Sequence, residues 1–223
     1  MKFDSSVPVP IAVFASGGGT NLQALLDHEQ TSGLYKVTTV VSDRKEAGAL
    51  RRASVANRNT LVISNQGRSQ DEIGEEIIRH LSSWDIQVIA LAGYLRLIPS
   101  IVVHAYPKRI LNIHPALLPD FGGEGMYGDR VHQAVLNVGV EVTGATVHYV
   151  DEEYDTGAIL AQWPVPVLPG DDIKAISARV LKIEHLLYPA VTDHVCRAIK
   201  EGIEPEPFIV PSVDLESISD DEK

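Results

Sequence analysis

The stretch Ile110-Leu-Asn-Ile-His-Pro-Ala-Leu-Leu-Pro119 indicates the class of fold to which this chain belongs. Its first half is apolar and β-prone, and the predicted strand ends at Pro115 because proline cannot donate to a strand ladder. Side chains alternate along a strand, so Asn112 and His114 should lie on the same face. An amide and an imidazole at a strand end are typical of a functional site in an open α/β sheet.

A purely structural role is the alternative for this pair. In that interpretation His114 is a hydrogen-bonded histidine at a strand end, and Asn112 caps a turn. For an isolated Asn-x-His this is the more common outcome, so other parts of the chain must decide between the two roles.

Charge and cysteine content exclude several classes of protein. The chain has 223 residues, with 30 acidic and 19 basic side chains and a net charge of −11. Such an excess of acid argues against nucleic-acid binding, which relies on neutralising phosphates. The single Cys196 excludes an internal disulfide and a cysteine-rich zinc site. No signal peptide and no apolar window of ~18 residues are visible, so we expect a cytoplasmic protein without a membrane partner.

A glycine loop, Ser16-Gly-Gly-Gly-Thr-Asn21, follows the first predicted strand and precedes a helical segment. Strand, glycine loop and helix in this order present free backbone N–H groups to a phosphate. The dinucleotide fingerprint is incomplete, because Leu22 stands where Gly-x-Gly-x-x-Gly requires its last glycine. Asp43 nevertheless ends the next strand where a ribose-binding acid would fall. A nicotinamide dehydrogenase and a tight turn without ligand both stay open here.

Alternating apolar and helical segments predict an α/β protein with a doubly wound, mostly parallel sheet and an added C-terminal strand and helix region. Strands are predicted at residues 10–15, 36–42, 60–63, 86–92, 110–113, 142–149 and 158–167, and helices at 22–27, 46–57, 69–82, 129–137 and 171–200. The start of the helix at 69–82 is indicated by Ser69-Gln-Asp-Glu72, a Ser-x-x-Glu capping box. Right-handed crossovers should bring the loops after the strands to one edge of the sheet. Pro164 and Pro166 place the last strand at an edge, and Tyr188-Pro189 should kink or divide the long helix. We expect one domain over residues 1–213 and an acidic, disordered tail over 214–223.

Six motifs in order carry a resemblance to a known family: Ser16-Gly-Gly-Gly-Thr-Asn-Leu-Gln23, Leu91-Ala-Gly-Tyr-Leu-Arg96, Asn112-Ile-His-Pro-Ala-Leu-Leu-Pro119, Thr146-Val-His-Tyr-Val150, Asp155-Thr-Gly157 and Glu184-His-Leu-Leu-Tyr-Pro189. Over about residues 8–200 the chain resembles the phosphoribosylglycinamide formyltransferases, folate-dependent enzymes of de novo purine (IMP) synthesis. The resemblance implies a Rossmann-like formyltransferase fold. It also implies transfer of a formyl group from 10-formyltetrahydrofolate, a co-substrate, to the amine of 5'-phosphoribosylglycinamide. Another folate-dependent N-formyltransferase, acting on a phosphorylated sugar or nucleotide amine, is the alternative.

The resemblance also implies roles for individual residues. Asn112 would donate to the oxyanion, His114 would move protons, and Asp155 would orient the imidazole and raise its pKa. The remaining residues divide between ribonucleotide binding, by Gly19, Thr20, Asn21 and Glu184, and folate binding, by Arg68, Leu95, Arg96, Leu97, Ile98 and Asn112. No metal is implied, and the expected partners are small-molecule substrates, with the protein a monomer or a homodimer.

Overall fold

The computed structural model describes residues 7–208 and 210, which form an α/β fold around a seven-stranded sheet. The strands are β1 (Val9–Phe14), β2 (Tyr35–Ser42), β3 (Asn59–Val62), β4 (Val88–Leu91), β5 (Ile110–His114), β6 (Val142–Tyr149) and β7 (Ile159–Pro166). The helices are α1 (Thr20–Ser32), α2 (Gly48–Val55), α3 (Gln70–Ser83), α4 (Ser100–Ala105), α5 (Asp129–Val138) and α6 (Ile173–Glu201).

The strand order β3-β2-β1-β4-β5-β6-β7 confirms the prediction of a doubly wound, mostly parallel sheet. Strands β1 to β5 are parallel, whereas β6 and β7 are antiparallel additions, with β7 at the edge. The order reverses between β1 and β4, and this is the point at which an open α/β sheet leaves a crevice at the carboxyl ends of its strands. The topology therefore places a crevice beside the glycine loop.

The sheet is covered on both faces by apolar side chains. Along β1, Ile11 and Val13 pack into the core under α1 and α6, while Ala12 and Phe14 pack into the core under α3 and α4. All four residues of β4 are buried, as expected for a central parallel strand. Ser69 and Glu72 form the predicted capping box of α3.

A kink or a division of the C-terminal helix was expected at Tyr188-Pro189, and the division is wrong. The helix α6 continues without interruption from Ile173 to Glu201, with Pro189 inside it. Tertiary contacts outweigh the lost N–H, because Tyr188 is fully buried and its hydroxyl lies 3.0 Å and 3.1 Å from the carbonyl oxygens of Leu91 and Leu111.

The acidic tail at 214–223 and the domain boundary at 213 lie outside the described residues and stay predictions. Within residues 7–208, no helix is both long and apolar enough to cross a membrane.

Candidate active site

A cavity of about 440 Å³ opens at the carboxyl ends of β1, β4 and β5. The loops at residues 16–21 and 93–98 and the end of β5 all line it, which confirms that they converge on one edge. The residues named from the sequence that line it are Gly19, Thr20, Asn21, Leu95, Arg96, Leu97, Ile98, Asn112, His114, Asp155 and Glu184. Its volume falls in the range of small-molecule sites, roughly 300–1,000 Å³.

Asn112, His114 and Asp155 come together in this cavity, although 43 residues separate the asparagine from the aspartate. Asn112 Nδ2 donates to Asp155 Oδ1 at 3.3 Å, and His114 Nδ1 lies 3.6 Å from Asp155 Oδ2. The other ring nitrogen of His114, Nε2, lies 2.9 Å from the carbonyl oxygen of Phe121 and therefore carries a proton. The carboxylate is fixed further by the backbone N–H of Gly123 at 3.0 Å.

His148 belongs to the same cluster, and the sequence assigned it no role. The antiparallel register of β5 and β6 pairs Asn112 with His148. His148 Nδ1 lies 2.7 Å from the carbonyl oxygen of Tyr149, so in the neutral form of the ring Nδ1 carries the proton, and Nε2, 3.0 Å from Asn112 Nδ2, is the acceptor. The sequence signal that could have pointed to His148 was its position in the Thr146–Val150 motif. The register between β5 and β6, which places His148 beside Asn112, cannot be predicted from local sequence.

The two bonds from Asn112 constrain its chemistry. An amide nitrogen has two hydrogens, and here they point to His148 and Asp155. Reversing the amide would place its oxygen against two acceptors, so this orientation is the stable one. For Asn112 to donate to an oxyanion, one of these bonds must be released, and the bond to Asp155 is the longer of the two.

The expectation that Asp155 holds the pKa of His114 above its ordinary value is wrong. Burial lowers the pKa of His114, whose side chain is only 4% exposed, and the nearby carboxylate of Asp155 offsets this only in part. Burial acts on Asp155 as well and would raise its pKa. When His148 is protonated at Nε2, which lies 3.5 Å from Asp155 Oδ1, it donates towards the carboxylate. This contact, together with His114 and the N–H of Gly123, outweighs burial and holds the pKa of Asp155 below its usual value.

At the other end of the cavity, the glycine loop meets α6. Gly19 precedes α1 with a φ of 76°, a left-handed conformation that favours glycine. Asn21 Nδ2 donates to Glu184 Oε2 at 3.0 Å. Glu184 is only 6% exposed, and this burial raises its pKa to about 7. The cavity therefore has a carboxyl group with a raised pKa beside the N-terminus of α1.

The environment of Asp43 removes the main support for the dehydrogenase alternative. Its side chain is 2% exposed and lies 3.1 Å from Arg96 Nε and 3.7 Å from Arg44 Nε. A carboxylate that binds the ribose of a dinucleotide must face the ligand. Asp43 instead forms an ion pair with Arg96, a residue of the cavity wall.

Arg68 is the one predicted site residue that does not line the cavity. Its Nη1 lies 2.6 Å from Glu76 Oε2, and its Nη2 donates to the carbonyl of Glu72 at 3.1 Å. Its role in folate binding stays a prediction. Among residues 7–208, no group of three or more His, Cys, Asp or Glu side chains is arranged to hold a metal ion.

Comparison with known proteins gives a consistent result. Residues 9–192 match the family model described as formyl transferase. The phosphoribosylglycinamide formyltransferase of Bacillus subtilis (strain 168) is 38% identical over 182 residues, which cover 81% of this chain and 91% of that protein. The chloroplastic phosphoribosylglycinamide formyltransferase of Arabidopsis thaliana is 44% identical over 191 residues, 83% of this chain and 65% of that protein. The crystal structure of glycinamide ribonucleotide transformylase 1 from Symbiobacterium toebii has a TM-score of 0.81 and 36% identity, covering 89% of this chain and 92% of that one. The chain spans less than two thirds of the length of the plant relatives from Vigna unguiculata and Arabidopsis thaliana, 60% and 65%.

Proposed function

Because the chain belongs to the formyl transferase family, we propose that it transfers a formyl group from 10-formyltetrahydrofolate to the amine of 5'-phosphoribosylglycinamide, in de novo purine synthesis. The observation that carries this proposal is the cluster of Asn112, His114 and Asp155 between a glycine loop and an apolar wall. Formyl transfer to an amine needs a proton carrier, a donor for the oxyanion and two binding subsites, and the cavity offers all of these.

The two ends of the cavity suit the two substrates. The backbone N–H groups at the start of α1 suit the phosphate of the ribonucleotide, and Glu184 suits the ribose hydroxyls as an acceptor when ionised. On the other side, the segment 95–98 lines the cavity, with Ile98 almost completely buried, and suits a flat heterocycle. With the substrates bound in this way, the glycinamide amine and the formyl group would meet at the cluster between the two subsites.

The formyl transfer needs no reactant other than the two substrates. The amine attacks the formyl carbon, and the new C–N bond gives a tetrahedral adduct with a negative oxygen. The ammonium nitrogen of the adduct must then lose a proton, and the folate nitrogen must gain one before its bond to the carbon breaks. The products are the formyl amide and tetrahydrofolate.

The pair of His114 and Asp155 suits the proton transfers. Nδ1 of His114 is the free basic nitrogen, because Nε2 carries the proton directed at Phe121. A proton accepted at Nδ1 faces Asp155 Oδ2 at 3.6 Å, so the carboxylate stabilises the imidazolium while burial destabilises it. Because these effects oppose each other, the protonated ring should be short-lived. A short-lived imidazolium can pass the same proton on to the folate nitrogen.

Asn112 suits the stabilisation of the adduct. As negative charge develops on the formyl oxygen, that oxygen competes with Asp155 for one of the hydrogens on Asn112 Nδ2. The remaining bond to His148 holds the amide plane during this exchange. Donors aimed at a developing oxyanion contribute roughly 2.7–4 kcal/mol to catalysis.

The test is a formyl-transfer assay with both substrates, comparing native protein with His114→Ala and His104→Ala. His104 is an exposed histidine outside the cavity and serves as the matched control. Loss of the proton carrier should lower kcat by ~10²-fold or more, whereas His104→Ala should keep native activity. Activity in the His114→Ala protein equal to that of the control would refute the assignment. Native activity only with a different phosphorylated amine would point to the alternative substrate.

We further propose that the protein acts in the cytoplasm as a monomer or homodimer. The chain has a single cysteine, Cys196, and a sequence without a disulfide framework is typical of a reducing compartment. Sedimentation analysis would separate the two oligomeric states.

A further inference from the structure

Helix α2 packs against the glycine loop and donates hydrogen bonds to its carbonyl groups. The carbonyl oxygen of Gly17 accepts from the N–H of Ala49 at 3.1 Å, and the carbonyl oxygen of Gly18 accepts from Arg52 Nε at 2.9 Å. Helix α2 comes so close that a Cβ on Gly48 would lie 3.2 Å from Gly18 Cα. Two successive loop carbonyls thus point away from the cavity, towards α2.

The direction of these carbonyls determines where the loop N–H groups point. In a trans peptide, the C=O and the following N–H are antiparallel. With the carbonyl of Gly18 directed at Arg52, the N–H of Gly19 must point the opposite way, towards the cavity that both glycines line. Glycine tolerates both orientations of such a peptide, so nothing in Gly18 or Gly19 itself prevents a flip.

Resting on the proposed function, we propose that Arg52 is a positioning residue that holds the Gly18–Gly19 peptide with its N–H towards the substrate phosphate. A second contact keeps the guanidinium in place, because Arg52 Nη1 donates to Gln23 Oε1 at 3.0 Å. Gln23 is held in turn by its bond to Asp27 at 2.8 Å on the same helix, α1. Arg52 therefore joins α2, the loop and α1, and it places a positive charge behind a phosphate site.

The planar fork of arginine is central to this role. It directs Nε to a carbonyl and Nη1 to an amide oxygen at the same time, which the single ammonium of lysine cannot reproduce. Without Arg52, the peptide is free to turn the carbonyl of Gly18 towards the phosphate, replacing an attractive dipole by a repulsive one.

The experiment measures binding of inorganic phosphate and of the ribonucleotide to native protein, Arg52→Gln, Arg52→Lys and Arg51→Gln. Arg51 is the neighbouring exposed residue of α2, so Arg51→Gln controls for net charge and helix propensity. Phosphate affinity is read by ³¹P NMR titration, kcat and the two KM values by formyl-transfer assay, and folding by circular dichroism and Tm.

For Arg52→Gln we expect phosphate affinity to fall and the ribonucleotide KM to rise by at least about tenfold, a change of ~1.4 kcal/mol. The KM for the folate should stay within about twofold of the native value. Arg52→Lys should recover part of the affinity through its charge, while Arg51→Gln behaves as native.

Equal phosphate affinity in Arg52→Gln and Arg51→Gln would overturn the inference, as would equal increases in both KM values. If Arg52→Gln does not fold, Arg52→Lys decides: native phosphate affinity there overturns the peptide-orienting role. Absence of formyl transfer in the native protein would refute the proposed function alone, because the phosphate titrations still report on Arg52.

Discussion

Replacing Glu184 by Gln should stabilise the protein in a pH-dependent way while weakening ribonucleotide binding. Glu184 is 6% exposed, and Asn21 is its one hydrogen-bond donor within the described residues. Burial raises its pKa from the usual value of 4.5 to about 7. An ionised carboxylate at this position is therefore unfavourable for folding, although the proposed contact with ribose hydroxyls requires an acceptor.

The direction and size of the effect follow from the two pKa values. The unfolded chain loses the Glu184 proton near pH 4.5, whereas the folded protein keeps it until about pH 7. Stability is therefore greatest below pH 4.5, falls as the pH rises from 4.5 through 7, and then levels off. Each pH unit in this window contributes ~1.4 kcal/mol, so the full loss is about 3 kcal/mol.

The assay is urea unfolding of the native protein, Glu184→Gln and Glu201→Gln at pH 5.5 and 8.5. Glutamine does not titrate, so the free energy of unfolding of Glu184→Gln relative to native protein should increase by about 2 kcal/mol between these pH values. Glu201, an exposed residue of the same helix, is the control. The free energy of unfolding of Glu201→Gln relative to native protein should change by less than about 0.5 kcal/mol between the two pH values.

This reasoning would be refuted if the difference in free energy of unfolding between Glu184→Gln and native protein were the same at both pH values. It would mean that Glu184 titrates alike in the folded and unfolded chains, against its burial. In the active enzyme, the same substitution should raise the ribonucleotide KM and leave the folate KM unchanged, because only the ribose end of the cavity loses an ionisable acceptor.

Three further substitutions test other parts of the structure. Asp155→Asn should lower kcat by ~10²-fold. It should also lower the apparent pKa of His114 in the pH profile of kcat, because the carboxylate opposes the effect of burial on that pKa. An unchanged apparent pKa would mean that Asp155 only shapes its own loop. Gly19→Ala should lower both Tm and ribonucleotide affinity, since φ is +76° and the new Cβ would lie 2.8 Å from Ala49 Cα; a native Tm would contradict this close approach. Tyr188→Phe should destabilise the fold by about 1–2 kcal/mol in urea unfolding, because the hydroxyl contacts to β4 and β5 are lost, and an unchanged midpoint would show that these contacts contribute nothing.

Much of the fold was predictable because its signals are local. Alternation of side chains and short apolar runs located the strands, and Ser69 and Glu72 located the start of α3, since a capping box involves residues only three apart. The expected division of α6 at Pro189 was wrong because that prediction also used local signals alone. Local rules predict a break there, but Tyr188 is packed deep between the helix and the sheet.

The parts of the site that follow strand ends were also predictable from sequence, because parallel strands with right-handed crossovers bring their carboxyl ends to one edge. The glycine loop, Asn112 and His114 are placed by this rule alone. Asp155 was placed beside them by family resemblance, since a loop between two later strands has no fixed position in a local reading.

Only the tertiary structure decided the rest. His148 faces Asn112 because β5 and β6 pair antiparallel in one register, and a register depends on contacts between segments distant in sequence. The pKa of His114 is lowered because burial outweighs a nearby carboxylate, and the balance of these two effects depends on depth and distance. Arg52 is one of two adjacent arginines in the sequence, and only the packing of α2 against the glycine loop directs it, and not Arg51, to the carbonyl of Gly18.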